Sequence, residues 1–172
     1  MLTDGVIILR PPEPGDLDAI YEACQDPEIQ RWTGVPSPYK REHATGYLER
    51  VAAEREAGKS LAFLAVDDEG TLLGNFSLME LDHTPGYGEI GYWVAKAARK
   101  QGVASRAVTL LRDYAADELG LDQIELIIHE GNTLSQRVAE RTGFLDIGEK
   151  RIAPRQEGAT ERDHLVYAWT AS

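Results

Sequence analysis

Between Glu89 and Tyr114 the hydrophobic period of the chain changes from two to 3.6 within a few residues. Ile90, Tyr92 and Val94 alternate with Glu89, Gly91 and Trp93, the signature of a strand. From Gly102 onward Val103, Ala107, Leu110, Leu111 and Tyr114 share one stripe, the signature of an amphipathic helix that Gly120 is placed to stop. A strand that enters a helix through so short a turn predicts a layered α/β domain. The turn itself, "VAKAARKQGVASRA" from Val94 to Ala107, carries four basic residues and no acid, although the net charge of the chain is −11. It lies inside a 23-residue stretch, Ile90 to Arg112, that has no Asp or Glu where about four would be expected at the chain-wide frequency.

The flanking segments complete the pattern. A strand around Val6 to Arg10 is followed by a proline break and a helix starting near Asp16, with Leu17, Ile20, Tyr21 and Cys24 on one face. "TGVPSPYKRE" reads as a proline-punctuated loop, and a second helix ends near Gly58. Two short apolar runs around "DDEG" predict a hairpin, so three antiparallel strands in succession precede the basic turn. After the central helix come the strand "DQIELIIHE", a short helix in "TLSQRVAERTGF", and a closing pair, "LDIGEKRIAPR" and "ERDHLVYAWT". The order is β-α-α-β-β-β-α-β-α-β-β. With 172 residues and no repeat or linker, the expectation is one domain over residues 1–172.

Charge and composition exclude several functions. With 29 acidic against 18 basic residues, the chain would be repelled by a nucleic-acid backbone. "MLTDGVIILRPPE" holds only a short apolar run without a basic leader, so neither a signal peptide nor a membrane span is expected, and the default is a soluble cytoplasmic protein. Cys24 has no partner for an internal disulfide and is expected in the core. His43, His83, His129 and His164 lack metal-ligand spacing, and no metal is expected. A small polyanion needs only a local reversal of sign. A glycine ahead of a helix permits close backbone approach, the first helical N–H groups are free, and the dipole and basic side chains favour negative charge. Phosphate is therefore the expected ligand. Neither a Walker motif nor a three-glycine dinucleotide fingerprint is present, because Gly102 is followed by Val103, Ala104 and Ser105.

Arg99-Lys-Gln-Gly102-Val-Ala104 matches the acetyl-CoA-binding motif [Q/R]-x-x-G-x-[G/A] of the GCN5-related N-acetyltransferases (GNAT), and Asn132, Ser135, Gly143 and Phe144 match the second signature, N-x-x-[AS] leading to a G-F pair. The chain thus resembles the GNAT superfamily over nearly its whole length. It looks most like the branch that acetylates ribosomal-protein N-termini: "LRPPEPGDLDAIYEACQDPEIQRW", "GEIGYWV" and "ERDHLVYAW" are typical. The resemblance implies a mixed, mostly antiparallel sheet splayed between its fourth and fifth strands and flanked by four helices. It further implies that the turn from Arg99 through Lys100, Gln101, Gly102, Val103 and Ala104 to Ser105 binds CoA, with backbone N–H groups from Lys100 to Ser105 on the pyrophosphate. The pantetheine arm would pair with the strand end at Trp93 and Val94. Asn132 would reach that arm, cap its own helix, or both. Ser135 would face the sulfur.

Acetyl transfer needs a neutral amine, a donor for the developing oxyanion and help for the departing thiolate. A lysine amine of pKa ~10.4 is only about 0.04% neutral at pH 7 and an α-amine near ~8 about 10%, so an N-terminal acceptor asks less of a base. Glu89, on the strand face of Gly91 and Trp93, is the candidate base, with a solvated carboxylate as the alternative; Glu80, Asp82 and Glu130 are possible substitutes. The backbone N–H of Val94 is the expected oxyanion donor. Many relatives carry an acidic tyrosine four residues before the G-F glycine; here that position is Ala139, so Ser135 is the implied acid. His129 is placed to touch substrate or to serve structure, and Trp32 to line the acceptor pocket. The expected partners are acetyl-CoA and a primary amine: a protein N-terminus, or a small molecule such as an aminoglycoside, polyamine or amino acid. An acyl-CoA-binding module without catalysis stays open, as does pairing of two chains along the final strands.

Overall fold

The computed structural model describes residues 1–152 and 163–171. In chain order the elements are β1 (Leu2–Thr3), β2 (Ile8–Arg10), α1 (Leu17–Ala23), α2 (Pro27–Trp32), α3 (Arg41–Glu56), β3 (Leu61–Val66), β4 (Leu72–Asp82), β5 (Tyr87–Val94), α4 (Val103–Asp117), β6 (Gln123–His129), α5 (Thr133–Arg141), β7 (Leu145–Ile152) and β8 (Asp163–Thr170). The final three residues of "LDIGEKRIAPR" and the first two of "ERDHLVYAWT" lie outside the described residues. The eight strands form one sheet in the order β1-β2-β3-β4-β5-β6-β8-β7. Every neighbouring pair is antiparallel except β5 and β6.

Among the described residues five helices flank the sheet where four were expected. The addition is α2, six residues long with Ile29 buried, too short to show a helical period. Its start is chemical rather than periodic: Asp26 is the N-cap, its Oδ1 accepting from Glu28 N–H at 3.1 Å, and Pro27 follows with its φ already suited to a helix.

Strand alternation divides the core in two. Phe63, Ala65, Phe76, Leu78 and Ile90 face α4, whose Val103, Ala107, Val108, Leu111 and Ala115 are buried against them. Leu64, Val66 and Trp93 face the other way, onto Ile20, Cys24, Ile29 and Ala44 from the first three helices. Cys24 is in the core as expected, 1% exposed.

The feature that positions the site is the parallel junction. β5 and β6 pair only at Tyr87, Gly88 and Glu89 against Gln123, Ile124 and Glu125. Gly88 sits at this closed end, where a Cβ would come within 2.9 Å of the Leu121 side chain. Beyond Glu89 the strands separate, β5 continuing along β4 to the Gly74–Val94 pair and β6 along β8 to the His129–His164 pair. The predicted splay therefore lies between β5 and β6, a two-residue first strand having shifted the count by one.

Candidate active site

The splay opens into a cleft of about 1160 Å³ bounded by β4, β5, β6, α5 and the first three helices. At its mouth β5 ends at Val94 and the chain turns through Lys96–Ala98 into α4. Two residues of the turn are left-handed, Lys100 at φ 62° and Gly102 at φ 77°. Nothing lies within 4 Å of where a Gly102 Cβ would stand, so the surface before the helix is open and the glycine serves the backbone angle. Arg106 N–H makes the first bond back into the helix, to Gly102 O at 3.1 Å. The N–H groups of Val103, Ala104 and Ser105 therefore precede the helical ladder, and no side chain caps them. They form, with the positive end of α4, a cradle suited to a phosphate oxygen.

The basic side chains divide between two tasks. Arg106 pairs with Asp4 at 2.6 Å, and Arg112 donates to Asp113 and to Thr142 O, tying α4 to the end of α5. Arg99 is engaged by other partners: it pairs with Asp26, the N-cap of α2, and donates to Val94 O at 3.2 Å. Gln101 Nε2 bonds Ala97 O at 2.9 Å within the turn. Lys96 and Lys100 remain exposed beside the cradle. The first residue of the motif thus contributes as a clasp between the turn, the end of β5 and α2.

The open edge of β5 supplies backbone donors. Ala95 N–H bonds Leu73 O at 2.8 Å, and because successive N–H groups of an extended strand alternate, that of Val94 faces the cleft. Trp93, 9% exposed, and Val94 both stand at this strand end as anticipated.

Glu89 lies just where the strands part, opposite Glu125 in the register. Burial pushes its carboxyl above the usual carboxylate range, Glu80 and Glu125 push it the same way, and Arg151 opposes them. Glu125, 2% exposed, is held by Tyr87 Oη at 2.9 Å, Gln123 Nε2 at 2.7 Å and Arg151 at 3.0 Å. Of the substitute bases, Glu80 lines the cleft, left-handed at φ 50° in the bulge of β4. Asp82 and Glu130 do not: Asp82 accepts from Thr84 N–H at 2.8 Å in the β4–β5 turn, and Glu130 pairs with Lys150 at 3.1 Å. Their strand ends pass the cleft, but local partners draw the carboxylates away.

Across the cleft, Asn132 caps α5, its Oδ1 accepting from Ser135 N–H at 3.3 Å. Ser135 and Asn132 both line the cleft, and Ser135 Oγ accepts from Tyr92 Oη at 3.1 Å. Ala139 is fully buried, one turn further along α5. Trp32 forms part of the outer wall, edge-on to His129 at 5.2 Å and donating from Nε1 to Glu28 at 2.9 Å. His129 lines the same wall and accepts from Gly131 N–H at 2.9 Å. Sequence reasoning missed Tyr92, which reads as one more alternating strand residue, and Glu125, whose partners come from three strands.

A domain profile described as "Acetyltransferase (GNAT) domain" matches residues 7–145. The chain belongs to the GNAT acetyltransferase family. It is 40% identical over 83 residues to the "Putative ribosomal N-acetyltransferase YdaF" of Bacillus subtilis, an alignment spanning 48% of this chain and 45% of that relative, so less than half of the relative's length is matched. It is 25% identical over 142 residues to the spermidine N(1)-acetyltransferase of Escherichia coli, covering 82% and 74% of the two chains. Among solved structures, Mycobacterium smegmatis RimJ in complex with CoA-disulfide superposes with a TM-score of 0.85 at 25% identity, over 99% of this chain and 84% of that one.

Proposed function

We propose that the chain transfers the acetyl group of acetyl-CoA to a primary amine by direct attack, and that the acceptor is a protein N-terminal α-amine. The observation carrying this reading is the splay itself: one opening with an anion cradle at its mouth, a backbone donor on its edge and a carboxyl at its closed end. The N–H groups from Lys100 to Ser105 hold the pyrophosphate, and Asn132 reaches the arm while capping α5. Glu89 accepts the proton of the attacking amine, directly or through water; a carboxyl lifted by burial is a better proton acceptor than an exposed one. Val94 N–H stabilises the oxyanion that forms at the acetyl carbonyl. Ser135 donates a hydrogen bond to the sulfur as the C–S bond breaks.

The name of the B. subtilis relative supports a protein acceptor. A polycation is a second reading, favoured by the spermidine-acetylating relative and by Glu42, Glu80 and Glu89 on the cleft wall. Thiol release from acetyl-CoA decides between them, measured with peptides starting in Ser or Ala, the same peptides with blocked N-termini, and spermidine. Free peptides should turn over and blocked ones should not. Faster turnover of spermidine selects the polycation, and CoA binding with no turnover on any acceptor leaves a binding module.

A further inference from the structure

One step of the proposed reaction is thinly provided for. A lone serine hydroxyl is a weak partner for a departing thiolate, and Ala139, the next residue on that side of α5, is buried and has no donor. A phenol reaches the same place from the sheet. Tyr92 of β5 stacks on Phe76 of β4, with ring centroids 5.2 Å apart and planes 11° from parallel, and its Oη contacts Ser135 Oγ at 3.1 Å. Both Tyr92 and Ser135 line the cleft.

We propose that Tyr92 is a positioning residue that turns the Ser135 hydroxyl proton toward the sulfur of the leaving thiol. The proposal rests on the role given to Ser135 above. A hydroxyl has one proton to donate and lone pairs to accept with. Burial pushes the Tyr92 phenol up to about 12, against the opposing bond to Ser135, so at neutral pH it keeps its proton. A phenol is a stronger donor and a weaker acceptor than an aliphatic hydroxyl, so across the 3.1 Å contact Tyr92 Oη donates to Ser135 Oγ. With Tyr92 donating to its oxygen, Ser135 must direct its own proton elsewhere, and the cleft is the open side. A hydroxyl that accepts one hydrogen bond also donates the next more strongly.

The amine nitrogen forms the C–N bond, the C–S bond breaks, and its electron pair stays on sulfur beneath the Ser135 hydrogen bond, while the amine proton goes to Glu89. Tyr92 gives up no proton, since transfer from a phenol near 12 to a thiolate near ~8.5 would run uphill. It orients and polarises.

The test is the acidity of the CoA thiol bound to the protein, titrated by thiolate absorbance in the wild type, Tyr92→Phe, Ser135→Ala and the double variant. The wild type should hold the thiol below its value in free CoA. Each single variant should return it toward that value, and the double variant should add nothing further. With a turned-over acceptor, Tyr92→Phe should lower kcat about fivefold to tenfold, a typical hydrogen-bond loss, with KM for acetyl-CoA unchanged. Phenylalanine keeps the stack on Phe76; a 3-fluorotyrosine at position 92, a stronger donor, should shift the thiol opposite to Tyr92→Phe and checks the idea without removing a group. A shift in Ser135→Ala but not in the Tyr92 variants overturns the role of Tyr92 and leaves Ser135 standing. A shift in Tyr92→Phe but not in Ser135→Ala means Tyr92 acts directly, which also overturns it. If neither shifts, the reading of Ser135 fails first.

Discussion

Glu89, the proposed base, is partly buried at a cost to stability. Its carboxyl is raised by burial and by Glu80, so the folded chain binds the proton more tightly than the unfolded one. Stability is therefore lost as pH rises from the unfolded value, near ~4.3, through the folded one, and the loss persists at neutral pH. Glu89→Gln removes the buried charge. It should raise the melting temperature at pH 7 relative to wild type while leaving the two nearly equal at pH 4. The same substitution should slow turnover by ~100-fold or more, in the range of general-base contributions, and raise the pH optimum, with CoA affinity nearly intact. An acidic limb that persists unchanged in the variant's pH-rate profile would remove Glu89 as the base.

At the scale of elements, the turn before α4 and the start of α2 are joined by an ion pair. One guanidinium nitrogen of Arg99, Nη2, bonds both Asp26 of the α2 cap and Val94 O. Asp26→Asn retains a side-chain oxygen for the cap but not the charge, whereas Asp26→Ala loses both. Calorimetry should show weaker CoA binding in both variants, and only Asp26→Ala should also lose the ~1 kcal/mol typical of an N-cap in thermal melts. Gly102→Ala tests the cradle alone. A left-handed alanine costs about 1 kcal/mol or more, and with open space around the Cβ position the cost is conformational. CoA affinity should fall about fivefold or further, with the fold retained by circular dichroism. The sequence signalled α4 and its glycine because a period of 3.6 and a left-handed turn are both local. It was silent on α2, whose six residues are specified by Asp26, Pro27 and contact with Arg99.

For the whole molecule the deciding structure is the closed end of the splay. Glu125 is buried between β5, β8 and the outer β7, held by Tyr87, Gln123 and Arg151. Removing one member of a buried pair costs about 3–5 kcal/mol, and here less, because Arg151 is 41% exposed and screened by water. Glu125→Ala should cost about 2 kcal/mol, a fall of roughly 4–8 °C in melting temperature for a chain of this size, measured by scanning calorimetry. A variant as stable as wild type would mean that the network does not hold β5 and β6 together.

The sequence by itself determined what is set by near neighbours. Alternation around Ile90, Tyr92 and Val94, the stripe from Val103, and Gly102 ahead of it are local matters of period and backbone angle, and the motif at Arg99–Ala104, with the second one from Asn132 to Phe144, places the family. Only the tertiary structure decided which side chains meet. Glu89 is raised because the fold buries it near Glu80 of β4 and Glu125 of β6; Asp82 and Glu130 leave the cleft because nearer partners hold them. Tyr92 reaches Ser135, 43 residues away, because the strands part between them. Such meetings depend on the register of β5 against β4 and its release from β6, which no short-range pattern encodes.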